Sequence, residues 1–135
     1  MEPRRTRNRA ARACLALALA AATLAVAPAA RAATLASGYL WSEEATQMVC
    51  FLWNVSASPV NVTSAGIFNA NGANVTFYDT CATKPLQPGA RCGFLAYNVT
   101  QAGGRAQIDV PRNRVRGTCQ LNKDGNFVIV TTEMR

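Results

Sequence analysis

Cysteine is the most reactive side chain in this sequence, and its spacing limits what it can do. "CATKPLQPGARC", from Cys81 to Cys92, holds the closest pair, with two prolines and a glycine between the thiols. A redox pair is normally Cys-x-x-Cys, and a structural zinc site needs closely spaced pairs, often with histidine. The chain has no histidine. No metal or cofactor site is therefore expected, and the thiols are assigned to disulfides. Cys14 lies within an N-terminal export segment, which leaves Cys50, Cys81, Cys92 and Cys119 with three possible pairings. The Pro88-Gly89 turn returns the chain towards its starting point and favours Cys81 with Cys92. Cys50 and Cys119 are then partners, and their bridge is expected to tie distant parts of the fold together. On the chain-entropy account the local bridge contributes roughly 3 kcal/mol and the longer loop about 4.

The absence of histidine also removes the usual general base at neutral pH, and with it the Ser/His/Asp and Cys/His arrangements. The carboxylates after the export segment are Glu43, Glu44, Asp79, Asp109, Asp124 and Glu133. Two carboxylates held ~5 to 9 Å apart hydrolyse glycosides. No two of these sit in a context that nominates them: Glu43 and Glu44 would point to opposite sides of a strand, and Asp124 belongs to an Asp-Gly turn. Glycine patterns of phosphate loops and dinucleotide sites are missing. No catalytic residue is assigned and an enzyme is not expected, with a carboxylate-dependent hydrolase as the alternative.

Binding chemistry is better represented. "PRNRVRG" spaces Arg112, Arg114 and Arg116 two apart, so that a strand there projects all three from one face and Val115 from the other, with Arg105 extending the patch. Guanidinium groups in a row repel one another unless they are solvated or paired. The sharp reading is an anionic partner: an envelope glycan bearing phosphate or carboxylate, lipid headgroups or an acidic protein surface. The plain reading is a solvated face, or an edge strand charged against aggregation. Trp41, Trp53, Tyr39, Tyr78 and Tyr97 are the aromatics for a sugar-stacking platform, with core packing as the default. Tyr39 and Trp41 fall on one side of an early strand and are the candidate pair, which makes a small carbohydrate-binding protein the rival function. Trp53, in the strand that carries Cys50, is expected in the core. Asn54, Asn61, Asn74 and Asn98 each open an Asn-Val-Ser/Thr triplet, read here as ordinary strand vocabulary.

The first residues state where the protein goes. Arg4, Arg5, Arg7, Arg9 and Arg12 precede an Ala/Leu-rich run from Ala13 to Ala27, and Ala30-Arg31-Ala32 supplies small residues for a peptidase cut after Ala32. Residues 1–32 thus read as a cleaved bacterial signal peptide and 33–135 as the mature domain. The apolar run falls short of the ~20 residues of a membrane span, so no transmembrane anchor is expected after cleavage. Cys14 precedes the run, where a lipidated cysteine would follow it. The mature chain carries eight Lys/Arg against six Asp/Glu, a net charge of only +2 of the +7 for the whole sequence. Nucleic acid is therefore an unsuitable partner, and a secreted or periplasmic location is expected.

Such groups have to be positioned by strands, because the mature sequence alternates apolar and polar residues and shows no apolar face at helical spacing. Strands are predicted in "TLASGYLW", "TQMVCFLWNVS", "VNVTSAGIF" (with Val60, Val62 and Ser64 on one side), "NVTFYDT", "ARCGFLAYNV", "GRAQIDV", "RVRGTCQL" and "NFVIVTT". Ser58-Pro59, Asn71-Gly72, Pro88-Gly89, Gly103-Gly104 and Asp124-Gly125 are the predicted reversals. Seven or eight short strands in about 100 residues predict an all-β chain: a single immunoglobulin-like sandwich with two disulfides, or failing that a small barrel.

Cys81, "LQPGARC" (Leu86 to Cys92), Gly103-Gly104 and "AQIDV" (Ala106 to Val110), preceded by "SPVNVTSAGI", resemble bacterial choice-of-anchor immunoglobulin-like modules of the abnormal-spindle/hydin type. The resemblance runs from about Val55 to Val110. "YNVTQ" replaces the phenylalanine-x-proline of those modules, and the chain continues through "PRNRVRGTC" where a module would end. The resemblance implies adhesion, scaffolding or localisation, that is, a non-catalytic binding or structural module of the envelope.

Overall fold

Alternation governs the long strands. In β3 (Gln47–Asn54) Met48, Cys50, Leu52 and Asn54 are buried, whereas Phe51 and Trp53 face out. Trp53 is 43% exposed, which corrects its expected place in the core. The reason is parity: Cys50 must face inward to meet its partner, so position 53 faces outward.

The computed structural model describes residues 31–124 and 127–135. Its elements are β1 (Ala33–Ala36), β2 (Leu40–Trp41), β3, β4 (Val62–Asn69), β5 (Tyr78–Asp79), β6 (Arg91–Tyr97), β7 (Gln101–Ile108), a 3₁₀ turn (Arg112–Arg114), β8 (Val115–Lys123) and β9 (Phe127–Met134). One antiparallel sheet has the order β5-β6-β3-β8-β9. In the other, β7 is central, with β1 and β2 along one side and β4 along the other. The chain is an all-β sandwich with two disulfides rather than a closed barrel, its sheets meeting at one corner through reciprocal backbone hydrogen bonds between Ala36 and Arg135. The assigned signal peptide falls on residues 1–30, outside the described ones, apart from exposed Arg31 and Ala32. Among the described residues no helix is long and apolar enough to cross a membrane.

Met48, Leu52, Phe94 and Leu121 of the five-stranded sheet and Ile67, Ala102, Ala106 and Ile108 of the other form the buried centre. Both favoured disulfides are present. Cys50–Cys119 does not tie distant parts of the sandwich, however: the two residues face each other across neighbouring β3 and β8, with Cα atoms 4.0 Å apart. Cys81–Cys92 likewise prolongs the β5–β6 pairing, Cα to Cα 4.9 Å. Bridges of this kind persist in oxidising, non-cytoplasmic surroundings.

Gly103-Gly104 is not a reversal but the middle of β7. A Cβ on Gly104 would collide with both sulfurs of Cys50–Cys119, so the glycine is where the disulfide of one sheet rests on the backbone of the other. Three further expectations are corrected. Val60 and Val62 are buried, but a register shift between Val62 and Ser64 reverses parity and leaves Ser64 exposed while Ile67 enters the core. The strand predicted over 74–80 shrinks to Tyr78–Asp79, because the Asn74 side chain accepts hydrogen bonds from Thr76 N–H (3.0 Å) and Thr76 Oγ1 (2.6 Å) and curls the backbone. Glu43 and Glu44 occupy a turn between β2 and β3, not a strand. The other reversals hold where described: Gly72 and Gly89 have φ of 79° and 73°, and Asp124, at 51°, follows β8 in its hairpin with β9.

Candidate functional site

Strand register assembles the site on the outer face of the five-stranded sheet. Arg91 of β6 and Arg116 of β8 lie directly opposite Trp53 of β3, one on each side, so an outward indole stands between two outward guanidinium groups. The Arg91 guanidinium carbon is 5.1 Å from the ring centroid, a cation–π contact. Trp53 Nε1–H donates to the Gly89 carbonyl at 3.1 Å, which fixes the plane of the ring.

That carbonyl is held in turn by the loop of the opening motif. Gly89 has the positive φ that only glycine adopts freely, and Cys81–Cys92 closes the loop behind it. Asn54, fully buried next to Trp53, spends its whole hydrogen-bonding capacity here. Its Nδ2 donates to Ser58 O and Leu86 O, both at 2.8 Å, and its Oδ1 accepts from Ser56 N–H at 2.9 Å and Ser56 Oγ at 2.7 Å. The clip is therefore mechanical, and what it positions is the indole.

The 3₁₀ turn forms a second wall. Trp53, Phe51, Arg91, Arg112, Arg116 and Glu133 line an open groove that also takes in Arg135 and the inward-facing Leu35, Leu52, Val115 and Met134. Glu133 lies 4.0 Å from the Arg135 side chain, and among the described residues no carboxylate pairs with Arg91, Arg112 or Arg116. Unpaired guanidinium groups converging beside an exposed ring make a site for a planar or ring-bearing anion.

The predicted arginine row is not a row. Arg112 and Arg114 lie in the 3₁₀ turn and only Arg116 is in a strand, because Pro111 precedes the turn and β8 begins at Val115. Arg112 and Arg116 still share the groove, whereas Arg114 is not among its lining residues. Arg105 is on the opposite sheet, 5.1 Å above the Phe68 ring, and does not extend the patch. Tyr39 and Trp41 do flank buried Leu40 on one side, both more than half exposed, but they too belong to the other sheet. Arg91 was legible as an outward neighbour of Cys92, yet its meeting with Trp53 depends on cross-strand register, which nothing local in the sequence encodes.

Three of the carboxylates are engaged elsewhere, while Glu133 lines the groove itself. Asp79 accepts from Cys81 N–H at 2.6 Å, Asp109 binds Asn61, and Glu44 holds Lys123 at 3.0 Å, raising the lysine pKa by hydrogen bond and charge. Among the described residues no cluster of His, Cys, Asp or Glu could hold a metal ion. Of the four Asn-Val-Ser/Thr asparagines, Asn54 is buried and Asn61 is hydrogen-bonded to Asp109, while Asn74 and Asn98 are exposed. No protein-family model, curated protein or solved structure matches the chain.

Proposed function

We propose that this protein is a non-catalytic binding module, exported to the periplasm or the cell exterior, that holds an acidic glycan of the envelope in the Trp53 groove. One observation carries the reading: an exposed indole, its plane locked by Gly89, stands between two arginines that have no acidic partner among the described residues. The apolar face of a sugar ring stacks on an indole, and its carboxylate or sulfate is met by guanidinium forks. The path of the chain supports an immunoglobulin-like module, since β3, β4, β6 and β7 alternate between the two sheets as in a Greek key. So does the resemblance to choice-of-anchor modules around Cys81–Cys92. The export signal and the disulfides agree with work outside the cytoplasm.

Calorimetric titration of the mature protein with hyaluronan fragments, which alternate acidic and neutral rings, tests this. Binding is expected at low salt, weakened by added salt and by about tenfold in Arg91→Ala or Arg116→Ala, and unchanged in Arg114→Ala. Binding indifferent to both groove arginines would sink it. A second reading, neutral sugar on Tyr39 and Trp41, rests on the exposure of that pair on the opposite sheet.

A further inference from the structure

The groove is one end of a longer feature. Along the same outward face, after Arg91–Trp53–Arg116, the next row is Gly93–Phe51–Thr118, then Leu95–Val49–Gln120 with Tyr78 beside Leu95, then Tyr97 opposite Gln47. Phe51, Trp53, Tyr78 and Tyr97 are all at least 40% exposed, and Phe77 packs edge-on against Tyr97 with centroids 5.2 Å apart. From Trp53 to Gln47 the strip runs six residues along β3, about 20 Å at the rise of a strand. It spans a short oligosaccharide rather than one ring. Its chemistry is polarised: the arginines gather at the Trp53 end, while exposed Tyr97 and Tyr78 and half-buried Leu95 at the other end are uncharged and Gln47 there is buried.

The occupant has to lie flat on a sheet face whose central strands already use their backbone groups in ladders. A peptide would lay its own amides against that face without ladder partners, an unfavourable burial. A sugar chain differs, because its C–H faces stack on rings while its hydroxyls, around the ring edge, stay in water. We infer that the protein binds a linear acidic polysaccharide lengthwise along β3, with an acidic residue held at Trp53 and neutral rings stacked towards Tyr78 and Tyr97. This rests on the groove reading above and extends it from one ring to a chain with a direction.

Titration with hyaluronan di-, tetra- and hexasaccharides, with Tyr97→Ala, Tyr78→Ala and Tyr97→Phe as variants, tests the extension. Affinity is expected to rise with length in the unaltered protein. Each alanine variant should reduce hexasaccharide affinity about fivefold, with disaccharide affinity and thermal unfolding unchanged and Tyr97→Phe close to normal. If all lengths bind alike, or the alanine variants bind the hexasaccharide normally, the lengthwise site is overturned and the groove stands. If no fragment binds, both readings fall. Sedimentation with phosphatidylglycerol vesicles in place of saccharide binding would overturn both in favour of a lipid surface.

Discussion

On each side of the sandwich an arginine lies 5.1 Å from the centre of an aromatic ring, Arg91 over Trp53 and Arg105 over Phe68, yet the two settings differ. Across the strands from Arg105 stand Ala36 and Gly66, residues with nothing to offer a ligand. Trp53 has a second arginine on its far side, a fixed ring plane and the 3₁₀ turn as a wall. Phe68 has no polar edge to anchor it. A cation over a ring is a common surface contact; it becomes a candidate site where neighbouring strands and a constrained loop add charge and hold the ring still.

The largest expected effect falls on what both faces share. Gly104→Ala forces a methyl group into the Cys50–Cys119 disulfide and should lower stability by about 3 kcal/mol in urea unfolding. Gly103→Ala meets only ordinary contacts with the Ser37–Tyr39 segment and should change stability by less than about 1 kcal/mol. Equal losses would show that the disulfide does not rest on β7. Asn54→Ala separates the faces: it removes four hydrogen bonds and leaves Ser56 N–H without its acceptor, although Leu86 O keeps Val60 N–H and Ser58 O keeps Ser56 Oγ, and should cost about 2 kcal/mol. Hydrogen exchange should quicken at Gly89, whose N–H donates to the Asn54 carbonyl, and at position 54 itself, whose N–H donates to the Ala90 carbonyl, and glycan affinity at the groove should drop. Unchanged exchange there would detach the buried asparagine from the site. The smallest effects belong to the opposite face, where Arg105→Ala and Trp41→Ala should leave acidic-glycan affinity as it was and move stability by about 0.5 kcal/mol or less. Loss of binding in either would shift the site to that sheet.

Much of this was readable before any fold was seen. The long strands, both disulfide pairs and the turns at Asn71-Gly72, Pro88-Gly89 and Asp124 follow from alternation, cysteine spacing and local backbone preference, which act over a few residues. Local rules also misled in instructive places. Gly103-Gly104 has the composition of a turn, but its glycines answer to a disulfide and a crossing segment that are remote in sequence. "PRNRVRG" alternates like a strand, but Pro111 opens a 3₁₀ turn and the row is broken. Ser64 lost its side to a single extra residue in β4.

Residue type and short-range periodicity were enough to set an all-β, disulfide-closed chain, whereas the outward place of Trp53 was not legible in them. Tertiary structure alone decided which arginine meets which ring. Register between β6, β3 and β8 brings together Arg91, Trp53 and Arg116, and strand pairing over such separations is selected by the packing of the whole core, against which any local preference is small.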